Sequence, residues 1–309
     1  MTSTLAFVFP GQGSQAVAML ADLVGESIVI DTFAEASAVL GYDLWDLVQN
    51  DDQGQLNQTH ITQPALLTAS VALWRLWCQR GGQQPAYMAG HSLGEYSALV
   101  CAGAISFADA VALVKARGEF MQAAVPAGTG AMAAIIGLDD GAIAVACEAS
   151  AEGDVVSPVN YNSPGQVVIA GQLAAVKRAM VACKEAGAKR ALPLPVSVPS
   201  HCELMKPAAE QLAVQLQAID VTMPSIPVIQ NVNAQAPQNA EELVANLVAQ
   251  LYQPVRWTGC VENMAQQGVE LMLECGPGKV LTGLTKRINK AVAGAAINDS
   301  ASVQSALGM

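Results

Sequence analysis

The segment GHSLGEYSALV contains a serine, Ser92, with a glycine two residues away on each side. The short apolar run AYMAG precedes it, and a stretch with helical spacing follows it. A G-x-S-x-G sequence between a strand and a helix is typical of a nucleophile elbow, where Gly90 and Gly94 leave room for a tight turn. The pattern predicts covalent catalysis by the Ser92 hydroxyl, with the N–H of Leu93 available to a developing oxyanion. A serine that only caps a helix is the alternative.

A serine nucleophile needs a base, and the chain contains three histidines. His91 is adjacent to Ser92, where neighbouring side chains diverge, and His60 falls in a polar segment that we expect to be a solvated loop. His201 follows a predicted strand and precedes a predicted helix, a position where catalytic side chains gather. By elimination His201 is the candidate base, and a buried structural histidine is the alternative. No carboxylate between Ser92 and His201 stands out as the group that orients the imidazole.

Arg117 is a further candidate, because it recurs with Val111, Val114 and Met121 at helical spacing. This spacing places Arg117 on the apolar face of its helix. A buried guanidinium needs an anion, which could be an internal Asp or Glu or the carboxylate of a bound molecule.

The elements that would position these residues alternate between strands and helices along most of the chain. This alternation predicts an α/β fold with a mostly parallel sheet. Between residues 126 and 197 the predicted order becomes strand, helix, strand, strand, helix, strand, which is the split βαβ of a ferredoxin-like unit. We therefore predict a small α+β subdomain of residues 126–197, inserted into a large subdomain of residues 1–125 and 198–309. Near the end of the large subdomain, the segment AEELVANLVAQLYQPVRW is predicted to form one helix.

The N-terminal segment LAFVFPGQGSQA also fits a dinucleotide-binding fingerprint, G-x-G-x-x-A after a strand, with Asp31 at a suitable distance. Pro10 interrupts the junction between this strand and the turn, which disfavours the fingerprint. Nucleotide binding therefore stays only as a weaker alternative for this loop.

The composition excludes several classes of function. The 309 residues carry a formal net charge of −11, which argues against binding nucleic acid through clustered Lys and Arg. No apolar run approaches the length of about 20 residues that a membrane span requires, and no secretory signal is predicted. The seven cysteines are scattered and have no metal-ligand spacing to histidine, which favours reduced thiols in a cytoplasmic protein without a bound metal.

Five segments are spread along nearly the whole chain. In order they are FVFPGQGSQ, TQPALLTAS, GHSLGEYSALV, PSHCELMKP and ECGPGKVLTGL. Together they closely resemble the malonyl-CoA:acyl carrier protein transacylase family of bacterial fatty acid synthesis. The acyltransferase domains of polyketide synthases share these segments more loosely. The resemblance implies an α/β hydrolase-like large subdomain with a ferredoxin-like small subdomain, in agreement with the predicted elements.

The resemblance also implies roles for individual residues. Ser92 would accept the malonyl group from malonyl-CoA and pass it to the pantetheine thiol of acyl carrier protein. His201 would act as base and then as acid, steadied by the backbone carbonyl of Gln250. The backbone N–H of Gln12 would join that of Leu93 in the oxyanion hole.

For Arg117 the resemblance implies a bidentate contact with the free carboxylate of the malonyl group. An uncharged acetyl group would leave Arg117 unpaired, so a preference for malonyl is expected. Gln63, Met121 and Ser200 are further candidates for the acyl pocket. The coenzyme A thioester is a substrate, and the family implies no cofactor and no metal.

The carrier protein of this family is acidic, as this chain is, so docking would need a local basic patch. Lys189 and Arg190 form one candidate cluster, and Lys286 and Arg287 form another across the predicted cleft. Solvated helix ends are the alternative for each cluster.

Competing functions remain open at this point. The chain could be a polyketide-type acyltransferase with another acyl preference, or a serine hydrolase of thioesters or esters. A non-catalytic module that binds a carrier or a cofactor is the alternative from a different class.

Overall fold

The computed structural model describes residues 4–196 and 198–309. Its strands are β1 (Leu5–Phe9), β2 (Tyr87–Gly90), β3 (Gly130–Ile136), β4 (Val156–Ser163), β5 (Gln166–Gln172), β6 (Arg190–Pro193), β7 (Val228–Ile229), β8 (Leu271–Cys275) and β9 (Ala293–Ile297). Its α-helices are α1 (Ser27–Leu40), α2 (Leu44–Asn50), α3 (Thr59–Gln79), α4 (Leu93–Cys101), α5 (Phe107–Ala124), α6 (Asp140–Ala151), α7 (Leu173–Glu185), α8 (Lys206–Gln217), α9 (Ala240–Gln250), α10 (Trp257–Gln266), α11 (Val280–Ile288) and α12 (Ser300–Leu307).

The larger sheet has the strand order β7-β2-β1-β8-β9, and each neighbouring pair is parallel. Every residue of β1 is buried, as expected for a strand with helices on both faces. Phe9 lies beside Gly90 in the register, so the loops after β1 and β2 leave the sheet side by side. The predicted parallel α/β sheet is confirmed, and its carboxyl edge is where such folds bind ligands.

The smaller sheet is antiparallel, in the order β4-β5-β3-β6. Helices α6 and α7 cover one face, where Ile135 and Val167 are buried. Met132 and Val168 lie on the other face and pack near Cys202 of the large subdomain. This strand order with two helices on one face is the ferredoxin-like arrangement predicted from the sequence. The predicted boundary falls on Ser197, which lies outside the described residues, as do residues 1–3.

Several predicted elements were wrong or missing. Helix α9 ends at Gln250, and a separate helix, α10, follows it, whereas the sequence suggested one continuous helix. Pro254 explains the break, because its ring nitrogen cannot donate the helical bond to Gln250. His60 lies in the first turn of α3 and not in a loop. The sequence analysis did not identify α2, α10, β9 or α12.

The dinucleotide-binding alternative is also wrong. That fingerprint requires a helix to begin directly at the glycine-rich turn. Here the turn after β1 leads into an irregular segment with a short 3-10 turn, Ala21–Leu23, and the first α-helix begins only at Ser27.

Candidate active site

Ser92 lies between β2 and α4, with the strained backbone of an elbow, φ 52° and ψ −108°. A Cβ on Gly90 would lie 1.8 Å from the carbonyl carbon of Gly94, and one on Gly94 would lie 2.0 Å from the carbonyl oxygen of Phe9. No side chain fits at either position. The two glycines of the motif therefore allow the turn to pack against the end of β1.

His201 meets Ser92 in the cleft. Its Nε2 lies 2.8 Å from Ser92 Oγ, and its Nδ1 lies 2.6 Å from the backbone oxygen of Gln250. A carbonyl oxygen can only accept, so Nδ1 carries the proton and Nε2 presents its lone pair to the serine hydroxyl. Burial, and then the charge of Arg117, lower the pKa of His201 to about 3. The imidazole is therefore neutral at pH 7, as a general base must be.

The carbonyl of Gln250 is free for this contact because of the local sequence. It belongs to the last residue of α9, where the helix has no N–H to offer it. Four residues further along the chain stands Pro254, which has no N–H. The unpaired helix carbonyl thus supplies what a carboxylate supplies in other serine enzymes, an acceptor that fixes the imidazole tautomer.

Arg117 is buried on α5, with 1% of its surface exposed. It donates to Gln63 Oε1 at 2.8 Å, to Gln250 Oε1 at 3.0 Å and to Ser92 Oγ at 3.3 Å. Among the residues that the structure describes, it has no ion pair, and its Nε has no hydrogen-bond partner. The internal salt bridge considered from the sequence is therefore wrong for the described residues. The guanidinium sits beside the serine with neutral partners.

The N–H groups of Gln12 and Leu93 both border the cleft beside Ser92. Within residues 4–196 and 198–309, neither backbone N–H has an acceptor. The N–H of Ser92 itself is occupied, because it donates to Asn231 Oδ1 at 2.7 Å. Gln12 and Leu93, which line the cleft beside Ser92, therefore each have a backbone donor without an acceptor among the described residues.

Two buried residues of the site escaped the sequence analysis. Asn231 bridges the elbow, since its Nδ2 donates to the carbonyl of Gly90 at 2.7 Å while its Oδ1 holds the N–H of Ser92. Glu95 has no exposed surface and accepts from Gln250 Nε2 at 2.9 Å. Glu95 stands one helical turn after Ser92, a spacing that could have shown that both face the same way. Nothing in the sequence singles out Asn231.

A cleft of about 460 Å³ opens from Ser92 between the two sheets. Met121 and Ser200 line it, and Gln63 lies behind it, held against Met121 Sδ at 3.6 Å. The wall from the smaller sheet carries amides and apolar side chains: Met132, Asn160, Asn162, Gln166 and Val168. The cleft is therefore built from both subdomains.

Arg287 of α11 donates to Gln166 Oε1 of β5 at 2.6 Å, and Gln166 lines the cleft. Gln166 pairs with Ile136, and Ile136 pairs with Arg190 of β6, so these side chains share one sheet face. Arg190 and Arg287 are both exposed and are linked in this way to Gln166, and we call this part of the surface the mouth, or rim, of the cleft. Lys189 and Lys286 are exposed next to them in sequence.

In the described part of the chain, no group of three or more His, Cys, Asp or Glu side chains could hold a metal ion. Over the same residues, no helix is both long and apolar enough to cross a bilayer.

Comparison with known proteins gives a consistent result. The model of the acyl transferase domain family matches residues 6–304. The malonyl CoA-acyl carrier protein transacylase of Escherichia coli K12 is 66% identical over 303 residues, 98% of each chain. The transacylase of Bacillus subtilis 168 is 45% identical over 307 residues, 99% of this chain and 96% of the relative.

Solved structures agree with these relatives. An acyl carrier protein S-malonyltransferase from Vibrio cholerae has a TM-score of 0.96 at 65% identity, covering 98% of this chain and 99% of that one. A malonyl transacylase in complex with its type II polyketide synthase acyl carrier protein has a TM-score of 0.98 at 61% identity, covering 99% of each. The resemblance drawn from the sequence segments is confirmed.

Proposed function

This chain belongs to the acyl transferase domain family, and from that premise we propose how its residues carry out the reaction of the malonyl CoA-acyl carrier protein transacylases. The enzyme transfers a malonyl group from malonyl-CoA to acyl carrier protein, which supplies fatty acid synthesis. The observation that carries the proposal is the 2.8 Å contact between Ser92 Oγ and a His201 whose tautomer is fixed by Gln250.

In the first half of the reaction, Ser92 Oγ attacks the thioester carbonyl while its proton passes to His201 Nε2. The N–H groups of Gln12 and Leu93 bind the oxyanion of the tetrahedral intermediate. The carbon–sulfur bond then breaks, and His201 returns the proton to the departing thiolate of coenzyme A. The product is a malonyl ester of Ser92.

In the second half, the pantetheine thiol of acyl carrier protein takes the place of coenzyme A. His201 accepts the thiol proton, the thiolate attacks the ester, and the same proton returns to Ser92 Oγ as the ester bond breaks. No cofactor enters either half-reaction, and the coenzyme A thioester is a substrate.

Selection of the acyl group falls to Arg117. Its present partners are neutral oxygens, so a substrate carboxylate would supply the anion that the buried guanidinium lacks. Gln63 would hold the guanidinium in place, and Met121 and Ser200 would shape the space around the acyl chain.

Docking of the acidic carrier would use the basic residues at the mouth of the cleft. Arg287 bonds the cleft-lining residue Gln166, Arg190 lies on the same sheet face, and Lys189 and Lys286 would extend the patch. The small subdomain that contributes half of this patch would comprise residues 126–197, inserted between residues 1–125 and 198–309. Because the cysteines are scattered and free, we propose that they are reduced thiols and that the enzyme is cytoplasmic.

The test is the intact mass of the protein after incubation with malonyl-CoA. Wild type should gain one malonyl group, and Ser92→Ala should gain none. The ester should persist in water and disappear when carrier protein is added, whereas rapid loss in water alone would indicate a hydrolase. A wild-type protein that acquires no malonyl group would refute the proposal.

A further inference from the structure

Glu95 is a buried carboxyl group for which the mechanism above has no role. Its Oε2 accepts from the N–H of Asn231 at 2.8 Å and from Gln250 Nε2 at 2.9 Å. Its Oε1 accepts from Gln230 Nε2 at 3.1 Å. All three partners are donors, so the ionised carboxylate, which only accepts, satisfies them fully. Protonation would weaken the oxygen that carries the proton as an acceptor and would add a donor to a site that already contains three.

Gln250 connects this carboxylate to Arg117. The side-chain amide of Gln250 has one donor end and one acceptor end. Its Nε2 faces Glu95, and its Oε1 accepts from Arg117 at 3.0 Å. The Nε2 end also donates to the backbone oxygen of Ser92 at 3.1 Å and to Asn231 Oδ1 at 3.4 Å. Glu95 is a charged acceptor at this end, and it favours the orientation in which Oε1 reaches the guanidinium. If the amide were reversed, its NH₂ group would face Arg117, donor against donor.

Glu95 also has a second connection, to the elbow. The backbone of Asn231 is fixed by Glu95, and its side chain holds both Gly90 and Ser92. A change in this connection would disturb Ser92 for every acyl group. The connection through Gln250 reaches Arg117 at Oε1, and its Nε2 also donates to the backbone oxygen of Ser92 at 3.1 Å. A change in the Oε1 contact should affect a substrate that uses Arg117 more than one that does not, and this difference makes the two connections separable.

We infer that Glu95, in its ionised form, is a positioning residue for malonyl selection, because it orients the Gln250 amide that holds Arg117 toward the substrate carboxylate. The inference rests on the proposed function, since it requires a substrate with a free carboxylate.

The surroundings of Glu95 place its titration in an accessible range. The titratable and charged groups that face it are Arg117 from α5, Cys260 from α10 and Tyr96 from its own helix. Burial raises the pKa of Glu95 to about 7, opposed by its hydrogen bonds and by the charge of Arg117. Malonyl selection should therefore weaken as the pH falls below 7, while the low pKa of His201 keeps the base neutral.

The experiment compares Glu95→Gln with wild type, using kcat/KM for loading of Ser92 from malonyl-CoA and from acetyl-CoA. The malonyl-to-acetyl ratio should fall on the order of ten- to hundred-fold, the scale of one lost hydrogen bond to a charged group. In wild type the same ratio should drop between pH 8 and pH 6, and in the variant it should no longer depend on pH.

Glu274→Gln is the matched control. Glu274 has no exposed surface and also accepts three bonds, from the N–H groups of Leu281 and Thr282 and from Thr282 Oγ1. It has no bond to Gln250 or Arg117, so its loss should leave the malonyl-to-acetyl ratio unchanged.

An equal fall in both rates, or an increased ratio, in Glu95→Gln would overturn the inference. If this variant does not fold, the wild-type profile decides: a ratio that is constant from pH 6 to pH 8 overturns it. Either result leaves the proposed function intact, provided that wild type still loads malonyl groups. A wild type without malonyl loading refutes the proposed function and this inference with it.

Discussion

The two walls of the cleft differ in how their polar groups are held. On the wall from the large sheet, Ser92 Oγ lies 2.8 Å from His201 Nε2 and 3.3 Å from the guanidinium of Arg117. The buried residue Gln250 accepts hydrogen bonds from both His201 and Arg117. On the wall from the small sheet, the polar groups are side-chain amides, and Arg190 is exposed at the rim.

The two walls meet through a small number of direct polar contacts. His91 Nε2 lies 2.8 Å from Asn162 Oδ1, and Arg287 bonds Gln166 at the mouth. The large wall therefore fixes the reacting atoms, whereas the small wall gives the cleft its shape and, in the proposal above, part of the docking surface. Substitutions on the large wall should therefore affect acyl loading, and substitutions at the rim should affect only the carrier.

The largest effect is expected for His201→Ala, which removes the base. Loading of Ser92 should fall on the order of 10³-fold or more for malonyl-CoA and acetyl-CoA alike, since both need the same proton transfer. Rates of intact-mass change measure this, and circular dichroism controls for folding. A loss confined to one of the two acyl groups would contradict the shared chemistry of this wall.

The second largest effect is expected for Arg117→Ala, which should lower the rate of malonyl loading but not the rate of acetyl loading. Malonyl loading should fall about 10²-fold or more, the scale of breaking a buried charged pair. Acetyl loading should be retained or increased, because an uncharged group does not need the guanidinium. Competition between the two coenzyme A esters, followed by mass spectrometry, reads out the preference. Unchanged malonyl loading would remove Arg117 from the mechanism.

At the rim, the double variant Arg190→Glu and Arg287→Glu should raise KM for acyl carrier protein about tenfold through lost attraction to an acidic partner. Loading from malonyl-CoA should stay as in wild type. Lys177→Glu is the control, because this exposed residue lies on α7, on the far face of the small sheet. The control changes the net charge by half as much as the double variant. An effect of about half the size, expressed as log KM, would therefore show that only net charge matters.

The smallest effect is expected for the pH dependence of acetyl loading. The pKa of His201 is lowered to about 3, so its neutral, basic form persists as the pH falls from 8 to 6. The rate constant kcat/KM for acetyl-CoA should then vary less than about twofold over this range. A decrease in kcat/KM for acetyl-CoA below about pH 6.5 would show that His201 titrates as an exposed histidine. It would also show that water reaches this wall of the cleft.

The sequence by itself determined the elbow, the parallel sheet and the inserted unit. These follow from local rules: glycines where a turn allows no side chain, apolar runs of strand length, and a helical repeat that buries Arg117. It also gave His201 by elimination, because a chain with three histidines leaves few choices.

Only the tertiary structure decided how these parts meet. The contact of the Gln250 carbonyl with His201, the bridge made by Asn231 and the contact of Glu95 with Gln250 all join residues far apart in the chain. Hydrogen bonds across such distances depend on the sheet register and on which polar groups burial leaves unpaired. Neither can be obtained from the periodicity of a single segment, because periodicity reports the side a residue faces and not what it will meet there.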